Sequence, residues 1–206
     1  MRYPPDQKAR ARDALLHAGA RSLKTSGFNG IGVDGLAAAA GVTSGAFYSN
    51  FPSKEAMLEA VIDAALGEPF LADTDSTTPA EGRARLIKFV EDYISADHSL
   101  DPAEGCVMPA LSADVSRAQP RVKDAYQQKM TALVDRIAGL LDGDEPDRRR
   151  RAWSIVALMV GSIVISRGIP EYSEYRIAPL DASLNTAASL IRPGIDDPIR
   201  DTPRSR

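Results

Sequence analysis

Residues 33–54, Val33-Asp-Gly-Leu-Ala-Ala-Ala-Ala-Gly-Val-Thr-Ser-Gly-Ala-Phe-Tyr-Ser-Asn-Phe-Pro-Ser-Lys54, restrict this chain more than any other stretch. They read as two short helices joined at a glycine, with a third starting behind them. The first, Val33 to Ala40, turns Leu36 and Ala37 or Ala40 inward. Gly41 follows where a left-handed residue ends a helix, and Val42 plugs the corner. Thr43 caps a second short helix with its hydroxyl. Phe47 faces inward there, and Ser44, Gly45, Ala46 and Tyr48 face out. Ser53 then caps a helix that begins at Lys54. Two helices about a short glycine turn, the second with small polar outward residues, form a helix-turn-helix pattern. Such a second helix is slim enough to enter a DNA major groove.

The other segments read as helices too. A first helix runs from about Pro5 to Thr25, with Ala14, Leu15, Ala18 and Leu23 as its apolar stripe. With Phe28, Ile31, Leu36, Val42 and Phe47, Leu15 would close the core of a small head. A fourth helix, Ser53 to Leu66, turns Met57, Leu58, Val61 and Ile62 inward. The polar stretch Asp73–Thr78 reads as a loop, and Pro79 opens a fifth helix. Asp97 to Asp101 reads as a break, and Glu104 to Arg117 as a short helix. Two long helices follow, Pro120 to Leu141 and Pro146 to Arg167, joined by a short turn. A last helix spans Leu180 to Ile191, and the proline and charge from Arg192 onward suggest a frayed tail. The expected fold is therefore all-α: a three-helix head (1–52) and a larger helical body (53–206).

Charge is unevenly spread. The chain of 206 residues has a net charge of −3, yet residues 1–54 carry +4 and the rest −7. A basic head on an acidic body fits phosphate binding confined to one end. A single cysteine, Cys106, permits no internal disulfide. The longest apolar run, Ile155 to Ile165, is far shorter than a bilayer requires. These features predict a cytoplasmic protein without a membrane partner.

The stretch from Ala39 to Leu58 resembles the DNA-binding head of tetracycline-repressor-like (TetR/AcrR) transcriptional regulators, and the match extends back through Ala11 to Phe28. The resemblance implies a ligand-responsive regulator, most simply a repressor released from a palindromic operator by a small hydrophobic or electrophilic inducer. On the residues themselves, Thr43 and Ser44 open the reading helix. Gly45 permits close backbone approach, and Ala46 suits a thymine methyl. Tyr48 and Lys54 are candidate phosphate contacts. Asn50 stands where many relatives have histidine. A homodimer would supply two half-sites, and the two long helices, with Ala157 and Gly161 for close approach, are the candidates to pair in a four-helix bundle.

The resemblance also implies an inducer cavity among the helices between 79 and 141. Phe89, Tyr93, Cys106, Met108, Tyr126, Met130 and Trp153 are its candidate lining residues, and an apolar pocket of that kind suits a hydrophobic or aromatic molecule. The context Glu104 to Asp114 is similar to a subgroup that includes regulators of reactive electrophiles. Cys106 is thus either a thiol activated at a helix N-terminus or a small packing residue.

Other functional classes find little support. His17 and His98 lie in separate segments, and no metal-ligand spacing, phosphate-binding glycine loop or nucleophile elbow occurs. No cofactor is expected. An enzyme would reveal itself by turnover without DNA binding, and a helical adaptor by failure to retard any DNA fragment.

Overall fold

A computed structural model describes residues 5–67, 70 and 78–192. The loop expected at Asp73–Thr78, apart from Thr78, and the tail expected beyond Arg192 lie outside them. The fold is all-α. Ten α-helices and one 3-10 turn are described: α1 (Pro5–Ser26), α2 (Val33–Ala39), α3 (Ser44–Asn50), α4 (Lys54–Ala65), α5 (Pro79–Tyr93), α6 (Ala96–Leu100), α7 (Val107–Ser116), α8 (Pro120–Ala138), α9 (Glu145–Gly168), the 3-10 turn Glu174–Arg176, and α10 (Ala178–Ile191). The break expected at 97–101 is instead mostly helical. Asp97, disfavoured in a helix interior, lies in the first turn of α6, where the positive end of the helix dipole favours a negative charge.

The chain divides into two compact units, Met1–Thr74 with Asp97–Leu133, and Asp75–Ala96 with Val134–Arg206. In the first, α1 packs on α2, α3, α4 and α7. Leu15, Leu23, Leu36, Ala37, Phe47, Phe51, Met57, Leu58, Val61 and Ile62 are buried there, as are Val107, Met108, Leu111 and Val115 of α7. Leu15, Leu36 and Phe47 thus sit in the core as expected. Phe28, Ile31 and Val42 are only half-buried, and Leu23, Phe51 and the α4 residues take the central places.

In the second unit α10 packs on α5 and, most extensively, on α9. Thr78 opens α5 with a capping box. Its hydroxyl accepts from the Glu81 N–H, and the Glu81 carboxylate accepts from the Thr78 N–H, while Pro79 fills the first turn. By length and composition α9 is apolar enough to cross a bilayer. Its apolar content has an internal explanation, since Ala152, Ile155, Val156, Met159 and Ile163 form one side of the core of this unit. It also opens on the run Arg148–Arg151, and Arg151 is only 3% exposed. The Arg151 guanidinium donates to Asp147 Oδ2 and the Leu190 carbonyl, each at 2.7 Å, and to the Asp142 carbonyl. One cation thereby ties the start of α9 to the preceding turn and to the end of α10.

Candidate nucleic-acid interface

The corner between α2 and α3 is a Schellman turn. The Gly41 N–H donates to Ala38 O (3.0 Å) and the Val42 N–H to Ala37 O (2.9 Å), and Gly41 has φ +66°. A Cβ at Gly41 would meet nothing within 4 Å, so the backbone conformation alone requires glycine there. Thr43 then caps α3, its hydroxyl accepting from the Ala46 N–H at 3.2 Å. The Ser44 hydroxyl donates to Asp34 Oδ1 at 2.6 Å and so ties the first turn of α3 to the first turn of α2. Phe47 is fully buried, edge-on to Tyr48 and tilted against Phe51. That anchor leaves Thr43, Gly45 and Ser49 exposed and Ser44 and Ala46 half-exposed. Tyr48 is 58% exposed.

Three neighbours of this surface were not legible in the sequence. Ser49, one turn beyond Gly45, is exposed, and its hydroxyl bonds back to the Gly45 carbonyl at 2.7 Å. Arg12 donates to the Asn50 carbonyl at 3.0 Å and lies over the Phe51 ring at 4.5 Å, so α1 supplies a cation to the C-terminal end of α3. The Asn50 side-chain amide turns back onto the Ala46 carbonyl at 2.8 Å. Lys54, at the start of α4, is held against the α1–α2 turn. Its ammonium donates to the Phe28 carbonyl at 2.5 Å and the Ile31 carbonyl at 3.0 Å, and it lies 4.2 Å from the centre of the Phe28 ring.

The expected ligand-lining residues fall in both units. Cys106, Met108, Tyr126 and Met130 belong to the first. Cys106 is the N-cap of α7: its sulfur accepts the Met108 N–H at 3.5 Å, and its own N–H donates to His98 Nε2 at 2.8 Å. That bond needs an imidazole whose Nε2 is unprotonated. Tyr126 and Ser112 share a hydroxyl–hydroxyl hydrogen bond of 2.7 Å. Burial raises the Tyr126 phenol above its ordinary pKa, the Ser112 hydrogen bond opposes the rise, and the nearby Cys106 adds to it. Met108 and Met130 are buried.

Phe89, Tyr93 and Trp153 belong to the second unit. Phe89 and Tyr93 pack edge-to-face with centroids 6.1 Å apart. Trp153 is 43% exposed and stands on the open side of α9, a place for a surface rather than an enclosed lining. A groove of about 270 Å³ between α1 and α4 is lined by Asp13, Leu16, His17, Ala20, Val61, Ala64 and Ala65, and none of the seven expected residues borders it.

A short helix capped by threonine, presented on a glycine corner and clamped by a buried phenylalanine, defines a helix-turn-helix head. A family model described as "Bacterial regulatory proteins, tetR family" matches residues 15–61, the span from α1 into α4. The HTH-type transcriptional regulator EthR of Mycolicibacterium smegmatis is 28% identical over 138 residues, 64% of this chain. The matched part spans 59% of that relative's length. Among solved structures, a TetR-family regulator from Cytophaga hutchinsonii superposes with a TM-score of 0.73 at 21% identity, covering 92% of this chain and 96% of that one. The Bacillus subtilis regulator FadR, solved in complex with stearoyl-CoA, gives 0.65 at 14% identity, covering 87% and 97%. Residues 15–61 thus match the DNA-binding head of that family, and over the rest of the chain the likeness to these regulators is one of fold.

Proposed function

We propose that this protein is a ligand-responsive DNA-binding regulator, acting as a repressor released from its operator by a small molecule. The observation that carries this reading is the outward surface of α3. Thr43, Ser44, Gly45 and Ala46 put almost no bulk between the helix and a base edge, and the half-exposed Tyr48 phenol stands beside them. The family match over the same residues supports it. In this reading Tyr48 contacts phosphate, and Lys54, held by the Phe28 and Ile31 carbonyls, serves inside the head.

A twofold operator requires a second copy of the chain. Trp153, Ala157, Val164 and Gly168 are exposed along one side of α9, and a Cβ at Gly161 would meet nothing within 4 Å. An apolar stripe of that length on a charged protein suits a partner helix. By contrast, α8 exposes Arg121, Lys123, Asp124, Gln127, Gln128 and Asp135, so it makes a poor second half of the bundle. The exposed residues of α10 are short, among them Ala178, Ala182, Ala188 and Ser189, and α10 takes that place in the reading.

The inducer is a hydrophobic small molecule whose binding favours one of two states of the body. It acts only through that difference in affinity. An electrophilic inducer has its own supporting observation, the Cys106 sulfur at the N-terminus of α7 with Tyr126 and His98 close by.

Selecting fragments of the source genome with the purified protein, followed by gel-shift titration at two salt concentrations, tests the reading. Recovered palindromic sites support it; failure to retard any fragment rejects it. Tyr48→Phe should weaken binding to all sequences alike. Cys106→Ser should abolish release by an electrophile if that route operates, and leave it unchanged if the inducer binds reversibly elsewhere.

A further inference from the structure

The end of α1 is finished by a residue far away in the chain. Gly27 adopts φ +70° and its N–H returns to the Leu23 carbonyl at 2.9 Å, as expected for a helix that ends on a left-handed glycine. At the corresponding position after α2, the next N–H (Val42) also folds back onto its own helix. After α1 it does not. The Phe28 N–H donates to Asp114 Oδ2 of α7 at 2.9 Å, across 86 positions of sequence. Glycine is required at 27 by its φ of +70°, since a Cβ there would meet the same oxygen only at an ordinary contact distance of 3.5 Å. The Asp114 side chain is only 12% exposed, and its other oxygen is held by Arg117 at 2.9 Å.

The residue so anchored belongs to the clasp around Lys54. Phe28 offers its carbonyl and its ring to the Lys54 ammonium, and Ile31 at the other end of the α1–α2 turn offers a second carbonyl. Lys54 opens α4, four residues after the end of α3. Asp114, the α1–α2 turn, Lys54 and the exit of α3 are therefore one continuous run of hydrogen bonds and backbone within the first unit. Farther along the same face of α1, the Lys24 ammonium donates to the Gly105 carbonyl at 2.8 Å and Arg21 pairs with Glu104. The segment leading into α7 and the body of α7 thus both hold α1.

We propose that Asp114 is a positioning residue for the DNA-reading helix: by anchoring the Phe28 amide it keeps the α1–α2 turn in the shape that clasps Lys54, and so sets the seat of α3. The proposal rests on the DNA-binding reading above and extends it to a residue outside the head that touches no nucleic acid. A charge-assisted hydrogen bond to a carboxylate is among the stronger single contacts available for such a task.

The test uses the full-length protein, its selected operator and a scrambled duplex, at a temperature where circular dichroism shows every variant folded. Asp114→Ala should lower operator affinity about tenfold, the loss expected of one charge-assisted hydrogen bond. Affinity for the scrambled duplex and the salt slope should not change, because no phosphate contact is removed. Asp114→Asn keeps an oxygen for the Phe28 N–H and should restore most of the loss. Amide exchange at Phe28 in the DNA-free protein should quicken in Asp114→Ala. Combining Asp114→Ala with Lys54→Met should cost less than the two losses together, because both act on one clasp. Operator affinity unchanged in folded Asp114→Ala, or strictly additive losses, overturns the proposal and leaves the regulator reading intact. A wild-type protein that retards no duplex overturns both.

Discussion

Replacing Gly41 with alanine is expected to destabilise the head by about 1–2 kcal/mol, the cost of a left-handed conformation for a residue with a Cβ. Chemical denaturation followed by circular dichroism reads that loss directly. The space around Gly41 is empty, so no clash adds to it. A tyrosine deeper in the first unit should betray itself by pH. The folded Tyr126 phenol has a raised pKa, because burial disfavours tyrosinate. Its contribution to stability is therefore complete below the ordinary tyrosine range and is lost as pH rises through the higher folded value. Alkaline denaturation of Tyr126→Phe should show a weaker pH dependence than wild type, and identical curves would contradict this environment. At this scale the sequence was legible wherever a residue acts on its own neighbours. Gly41, Thr43 and Phe47 do so. Lys54 and Asp114 act on backbone distant in sequence, and nothing in local spacing announces such partners.

Helices were easier to foresee than the groups that fasten them. The period of apolar residues marks α4 and α5 because each presents one face to a core, and the caps Ser53 and Thr78 stand where local chemistry puts them. The break expected at 97–101 failed because the five residues Ala96–Leu100 close a short helix that takes Asp97 into its first turn. Arg151 stands in the run of four arginines near the start of α9, yet the structure buries it. Arg151→Ala should destabilise the second unit by about 3 kcal/mol, since the Leu190 and Asp142 carbonyls lose their donor and Asp147 loses a partner. Thermal denaturation measures this. Asp147 has a lowered pKa, chiefly from its bond to Arg150 and then from Arg151. Its share of stability is present above the ordinary carboxylate range and disappears as pH falls through the depressed value. In Arg151→Ala the acid limb of the stability curve should be shallower than in wild type.

For the whole molecule, the open side of α9 is the feature with the largest consequence. Val164 and Ile165 are among its most exposed apolar residues. Val164→Glu places a charge where the proposed partner helix must pack, so light scattering should report a smaller mass and operator affinity should fall steeply. An unchanged mass would remove α9 from the interface. Segment patterns suffice for the all-helical class, and the residue charges for the contrast between the first 54 residues and the rest. The sequence does not show which helices remain uncovered, because apolar residues for a core and for a partner look alike until the fold assigns each a neighbour.

The backbone passes between the two units three times, after residues 74, 96 and 133. Scissors applied to the gene therefore do not cut where the molecule divides. A chimaera that grafts residues 1–52 onto a foreign body would arrive without Asp114, with its Phe28 amide and the flank of α1 stripped of their counterpart. A transplant meant to keep its original grip on DNA must also bring a stretch of chain from beyond residue 100.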